Sequence, residues 1–98
     1  MKFNDFLTAR RRGVILSALE ESAADTEAAS DLLHRYCLAL GLRPTREAVD
    51  NDLRWLAERR LVLLTETQGF LLAKLTQDGY EVAARRASVA GVDIASKG

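Results

Sequence analysis

A chain of 98 residues has room for one hydrophobic core and not two. Its 14 basic and 14 acidic residues cancel, which excludes nucleic-acid binding by bulk charge alone but leaves a local basic patch open. With 48% apolar but only 6% aromatic residues, the core has to be built of Leu, Val and Ala. Cys37 is the single cysteine and forms no internal disulfide, no apolar run approaches the roughly 20 residues that span a bilayer, and no leader pattern opens the chain. A cytoplasmic protein without a membrane segment is expected.

The first predicted helix covers residues 3–21, with Asn4 as cap and Asp5 at the positive end. Phe3, Leu7, Val14, Ile15, Ala18 and Leu19 form its apolar stripe, interrupted by Arg10, Arg11 and Arg12. Three consecutive arginines on a helix point three ways, so at least one meets the edge of the core. A solvated face with snorkelling stems is the simpler reading, and a phosphate- or partner-binding cluster the alternative. Gly13 costs a helix roughly 1 kcal/mol relative to alanine, which points to a kink or a tight crossing. Residues 22–27 read as a connector, with a weak strand signal near Asp25 and Thr26.

A second helix is expected over residues 28–40, capped by Ser30 or Thr26, with Ala29, Leu32, Leu33, Tyr36 and Leu40 on its packing stripe. Cys37 borders that stripe as a small buried hydrophobe. His34 has no second histidine or cysteine at ligand spacing and is expected at the surface. Gly41 supplies the positive φ that ends a helix, so Gly41-Leu42-Arg43-Pro44 reads as a turn with Leu42 tucked between two helices.

The next helix is the most strongly patterned. Thr45 is placed to cap it, Val49, Leu53 and Leu56 recur at spacings of four and three on one face, and Arg59 and Arg60 close its last turn. Glu47, Asn51, Arg54 and Glu58 occupy the opposite face, with Asp50 at its flank. Trp55 lies roughly 120° from the core centre, as an edge-of-core residue or as an interface anchor. Two strands over residues 61–67 and 70–75 then meet at Gln68-Gly69, a tight-turn dipeptide. Alternation leaves open which face of this hairpin is the core, and apolar residues on the other face would point to a dimer contact. Thr76 caps a last helix over residues 77–87, packed through Tyr80, Ala83, Ala84 and Ala87 and ending on Arg85 and Arg86. Gly79 fits inside it only if the missing side chain lets the first turn approach the hairpin. The tail, residues 88–98, carries Val89, Val92 and Ile94, too few to fold alone, and is expected to be loosely ordered, either packing over the body or fraying.

Two segments carry a resemblance. DLRWLAERRLV, residues 52–62, resembles the D-x-L-x-x-L-x-x-x-G-L-V pattern of the winged helix-turn-helix domains of bacterial regulators such as the MarR, ArsR and PadR groups. LTQDGYEVA, residues 75–83, resembles their L-T-x-x-G-x-x-x-A start of the last helix. Arg60 stands where those domains have glycine. The implied fold is α+β, mostly α: a winged helix-turn-helix over residues 1–87 with a two-stranded wing and a C-terminal helix. The whole sequence also resembles small uncharacterised winged-helix proteins of Mu-like phages and prophages, a resemblance that carries over no particular activity.

The likeness to regulators implies that the central helix enters the major groove while the wing touches the backbone or minor groove. Thr45, Arg46, Asn51 and Arg54 then become candidates for reading or positioning DNA, Arg43 for a phosphate, and Lys74 is the one cation of the hairpin. Asn51 has the groups to pair with adenine and Arg54 with guanine. Glu47, Asp50 and Glu58 work against this by placing negative charge beside the same face, and Glu66-Thr67-Gln68-Gly69 at the wing tip has no cation. The expected function is a homodimeric transcriptional regulator on duplex DNA. The alternative is a non-catalytic protein-protein adaptor using the same face or Trp55; a structural part of a phage particle rests on the resemblance alone. No base, nucleophile and orienting group converge, and no glycine-rich phosphate loop occurs, so neither catalysis nor a metal or cofactor is expected.

Overall fold

The computed structural model describes residues 2–22 and 26–95. Within them the order is α1 (Phe3–Glu21), β1 (Ala28–Ala29), α2 (Ser30–Ala39), α3 (Arg46–Glu58), β2 (Val62–Thr67), β3 (Phe70–Leu75) and α4 (Gln77–Ala83). The strands form an antiparallel sheet in the order β1-β3-β2. The described residues therefore make a small, mostly helical α+β domain. The sheet has a third strand beyond the expected hairpin, at Ala28–Ala29, where Ala28 pairs with Ala73 and Ala29 with Leu72. The weak strand signal sat slightly upstream, at Asp25 and Thr26; Asp25 lies outside the described residues.

Capping differs between the two halves. Thr45 and Thr76 cap α3 and α4 as expected, their hydroxyls accepting from the Ala48 and Gly79 N–H groups. Asn4 and Ser30 cap nothing: α1 begins after Lys2 and α2 after Ala29, neither with a side-chain cap. Three helices end in one way. After α2, α3 and α4 the chain passes through a left-handed residue, Gly41 (φ 81°), Arg60 (φ 61°) and Arg85 (φ 66°), whose own N–H and the N–H of the next residue fold back on the last turn. At α3 these bonds run from Arg60 N–H to Ala57 and from Leu61 N–H to Leu56, 2.9 and 3.0 Å. Arg60, at the position where glycine was expected, thus takes the left-handed conformation itself.

Register decides the face of the hairpin. Gln68 and Gly69 both take positive φ, 49° and 80°, the tight-turn signature whose twist matches paired strands. Leu64 opposite Ala73 and Val62 opposite Leu75 then point inward, while Leu63, Leu72 and Phe70 point outward. Leu63 is 61% exposed. The core gathers Ile15, Leu16 and Leu19 from α1, Leu33 and Cys37 from α2, Val49, Leu53 and Leu56 from α3, and Val82 and Ala83 from α4.

Phasing was misjudged on three helices. Leu16 and Gly13 rather than Phe3 lie on the buried side of α1, and Phe3 is 72% exposed. On α2 the expected stripe splits, with Leu33 buried and Leu32, Tyr36 and Leu40 exposed. On α4, Val82 takes the core position and Tyr80 stays outside. Of the two expected outcomes for the tail, its described part, residues 88–95, takes the first and packs over the body. Val89, Val92 and Ile94 pack on the core, and the Asp93 N–H donates to the Ala9 carbonyl at 3.0 Å.

Two glycines permit the closest approaches. A Cβ on Gly13 would fall 1.9 Å from the Asp93 carbonyl oxygen, so the tight crossing expected there is made by the tail. A Cβ on Gly79 would fall 1.9 Å from the Leu61 carbonyl oxygen, so α4 starts hard against the foot of β2. We expect Gly79→Ala to destabilise the domain sharply. Arg60→Gly should raise stability by about 0.5–1 kcal/mol, the relief of a left-handed residue less the entropy cost of glycine. Thermal unfolding of the two variants checks both, with opposite signs expected.

Candidate functional site

The buried side of α3 is more than aliphatic. Asp52 is 2% exposed, and Arg11 and Arg12 of α1 close on its carboxylate. Arg11 Nε meets one oxygen and Arg12 Nε the other, the latter at 3.2 Å. Arg10, one residue earlier, pairs with Asp93 of the tail at 3.0 Å. The arginine run is therefore neither a solvated face nor an open cluster. Each guanidinium is paired inside the molecule, and the run ties α1 to α3 and to the tail. Sequence reasoning passed over Asp52. The signal was its place: one residue before Leu53 and three after Val49, a carboxylate on an apolar face has to be paired.

Trp55 continues this contact. Arg12 stacks 3.8 Å from its ring centroid and Arg59 3.6 Å. Gly91 of the tail packs against the indole, and the Arg12 guanidinium donates to the Gly91 carbonyl at 3.3 Å. Trp55 is thus a half-buried residue at the edge of the core, covered by Arg12 of α1 and by the tail.

The remaining predicted residues divide into two groups. Arg43, Asn51 and Arg54 are exposed, and Arg43 sits in the left-handed region at φ 50°. Arg43 and Arg54 make no ion pair among the described residues. Arg46 is exposed but turned back on α2, within 3.5 Å of Asp31 and 3.3 Å of the Ser30 hydroxyl. The Thr45 hydroxyl is engaged in capping, 3.0 Å from the Ala48 N–H. Lys74 is half-buried on the outward face of β3, opposite Leu63. Glu47 and Glu58 are exposed beside Asn51 and Arg54, while Asp50 at the flank is half-buried, with one carboxylate oxygen buried and unpaired in the structure.

His34 is not simply a surface residue. It is half-buried, and its Nε2–H donates to the Pro44 carbonyl at 3.0 Å, which ties α2 to the turn before α3. Cys37 is fully buried, and burial pushes its thiol up from 9.0 to about 11, with Arg11 pulling the other way and Asp52 adding a small push. Among the described residues no three His, Cys, Asp or Glu side chains gather as metal ligands, and no helix is long and apolar enough to cross a membrane.

A paired arginine run and a buried aspartate thus hold α3 with one face sunk in a small α+β domain and the other open to solvent. The chain belongs to the family of a phage Mu protein: it is 40% identical over 89 residues, 91% of each chain, to "uncharacterized protein gp26" of Escherichia phage Mu. No family profile and no solved structure matches the chain.

Two outcomes follow from this geometry. Asp52→Ala strands Arg11 and Arg12 against the core and should cost about 3 kcal/mol, the lower end for a broken buried pair because both guanidiniums reach partly to solvent; denaturant unfolding measures it. The folded thiol of Cys37 holds its proton to higher pH than the unfolded one, so its share of stability is complete below pH 9 and is lost as pH rises toward 11. Unfolding midpoints across that range should fall in the wild type and fall less steeply in Cys37→Ala.

Proposed function

We propose that the domain is a winged helix and that it binds duplex DNA as a phage or prophage regulator, with α3 entering the major groove. One observation carries this reading. Val49, Leu53 and Leu56 bury one side of α3 completely, while Asn51 and Arg54 stand exposed on the other, with unpaired Arg43 before the helix and Arg60 after it. The element order supports it: α2 and α3 are joined by a tight turn, and an exposed hairpin tip follows. In this arrangement Arg54 and Asn51 read base edges and Arg43 holds a phosphate. Thr45 and Arg46 are better suited to positioning, since both already make hydrogen bonds within the domain. Lys74 lies on the outward face of the wing. A homodimer belongs to the same reading, supported by the apolar outward face of the sheet at Leu63 and Phe70.

A non-catalytic adaptor on the same scaffold is the second reading, favoured by Glu47 and Glu58, which flank Arg54 on the exposed face and oppose a polyanion. Binding of labelled duplexes, measured by anisotropy over a range of salt concentrations, separates the two. Affinity should fall linearly on a log–log salt plot. Arg54→Ala should lower affinity for a selected site by about 1–3 kcal/mol, and Arg43→Ala should weaken all sequences alike. No binding to any duplex at low salt overturns the DNA reading in favour of the adaptor.

A further inference from the structure

The charges around Trp55 do not cancel. Arg10 pairs with Asp93, and Arg11 and Arg12 share Asp52, while among the described residues Arg59 donates only to the Trp55 carbonyl, at 3.4 Å. In these pairs four guanidiniums face two carboxylates, and adding the exposed neighbours Arg60 and Glu58 leaves the same excess of two. The negative end of α3 offsets only about half a unit of the excess. Arg60 adjoins the cluster, exposed and without an ion pair among the described residues.

The stack is also preorganised. Guanidinium carbons 3.8 and 3.6 Å from the ring centroid place both Arg12 and Arg59 on the indole. Arg12 is fixed against the ring by Asp52 and Gly91, whereas Arg59 is exposed and has most of its five N–H donors uncommitted among the described residues. A planar, weakly hydrated donor fork held against an aromatic ring suits an anion with several oxygens, because little freedom is lost when it binds.

We propose that the Arg12–Trp55–Arg59 stack is a docking point for a phosphate group, with Arg59 donating the hydrogen bonds and the anchored Arg12 adding charge. In the DNA-binding reading, on which the source of the phosphate rests, this is a backbone phosphate beside the groove that α3 enters. The chemistry itself does not depend on that reading.

Trp55 is the only tryptophan, so its emission reports on the site alone. Inorganic phosphate titrated against chloride at constant ionic strength should change the emission saturably in the wild type and not in Arg59→Ala. Arg59 is exposed, so the variant should keep its fold, which circular dichroism checks. On duplex DNA, Arg59→Ala should weaken binding several-fold at low salt and reduce the salt slope by about one, and Arg59→Lys should restore part of the slope but less of the emission response. DNA binding with the Arg59→Ala slope unchanged, together with no phosphate response, overturns the docking point and leaves the DNA reading standing. A saturable phosphate response without duplex binding keeps the docking point and overturns the DNA reading. Neither response overturns both.

Discussion

The fold depends on a carboxylate where an aliphatic side chain would be expected. Asp52 lies within the buried face of α3, and a lone charge there is costly enough to disrupt the core. Two consecutive arginines of α1 remove the cost, but only when α1 crosses α3 at one rotation and one height. Aliphatic packing alone tolerates sliding and repacking, whereas a carboxylate gripped at both oxygens does not. The same crossing places Arg12 on the face of Trp55 and leaves room at Gly13 for the tail.

Much of the architecture was legible in the residues, and the reasons are local. Thr45, Thr76, Gly41 and Gln68-Gly69 each act through their own backbone and need no distant partner, so each is found doing what its chemistry implies. The rotation of α1, α2 and α4 was not legible, because each has more apolar residues than its buried side can use. Leu16 against Phe3 and Val82 against Tyr80 are decided by which neighbour arrives, and that is tertiary information. The two-residue strand at Ala28–Ala29 was equally hidden, since alanine has no strand preference and only the exposed edge of β3 recruits it.

The exposed side of α3 was read correctly as exposed, but its surroundings changed. Arg10, Arg11 and Arg12 are withdrawn into internal pairs and Arg46 leans on α2, so the positive charge left near that face belongs to Arg43, Arg54, Arg59 and Arg60. A neutral chain can present a positive surface only by this kind of sorting, in which some cations are neutralised internally and the remainder stay outside. Glu47 and Glu58, exposed on the same face, set its limit: the positive surface is local, and on the proposed DNA reading specificity would have to come from hydrogen bonds.

The bond between Asp93 and Ala9 has a consequence for how the molecule is made. The first helix emerges from the ribosome with three arginines and a glycine whose partners are encoded far downstream. Until residues near 93 are released, Arg10 has no carboxylate and the groove at Gly13 stays empty. Such distant closure is entropically slow, so α1 remains loosely attached during synthesis and acquires its final partners late.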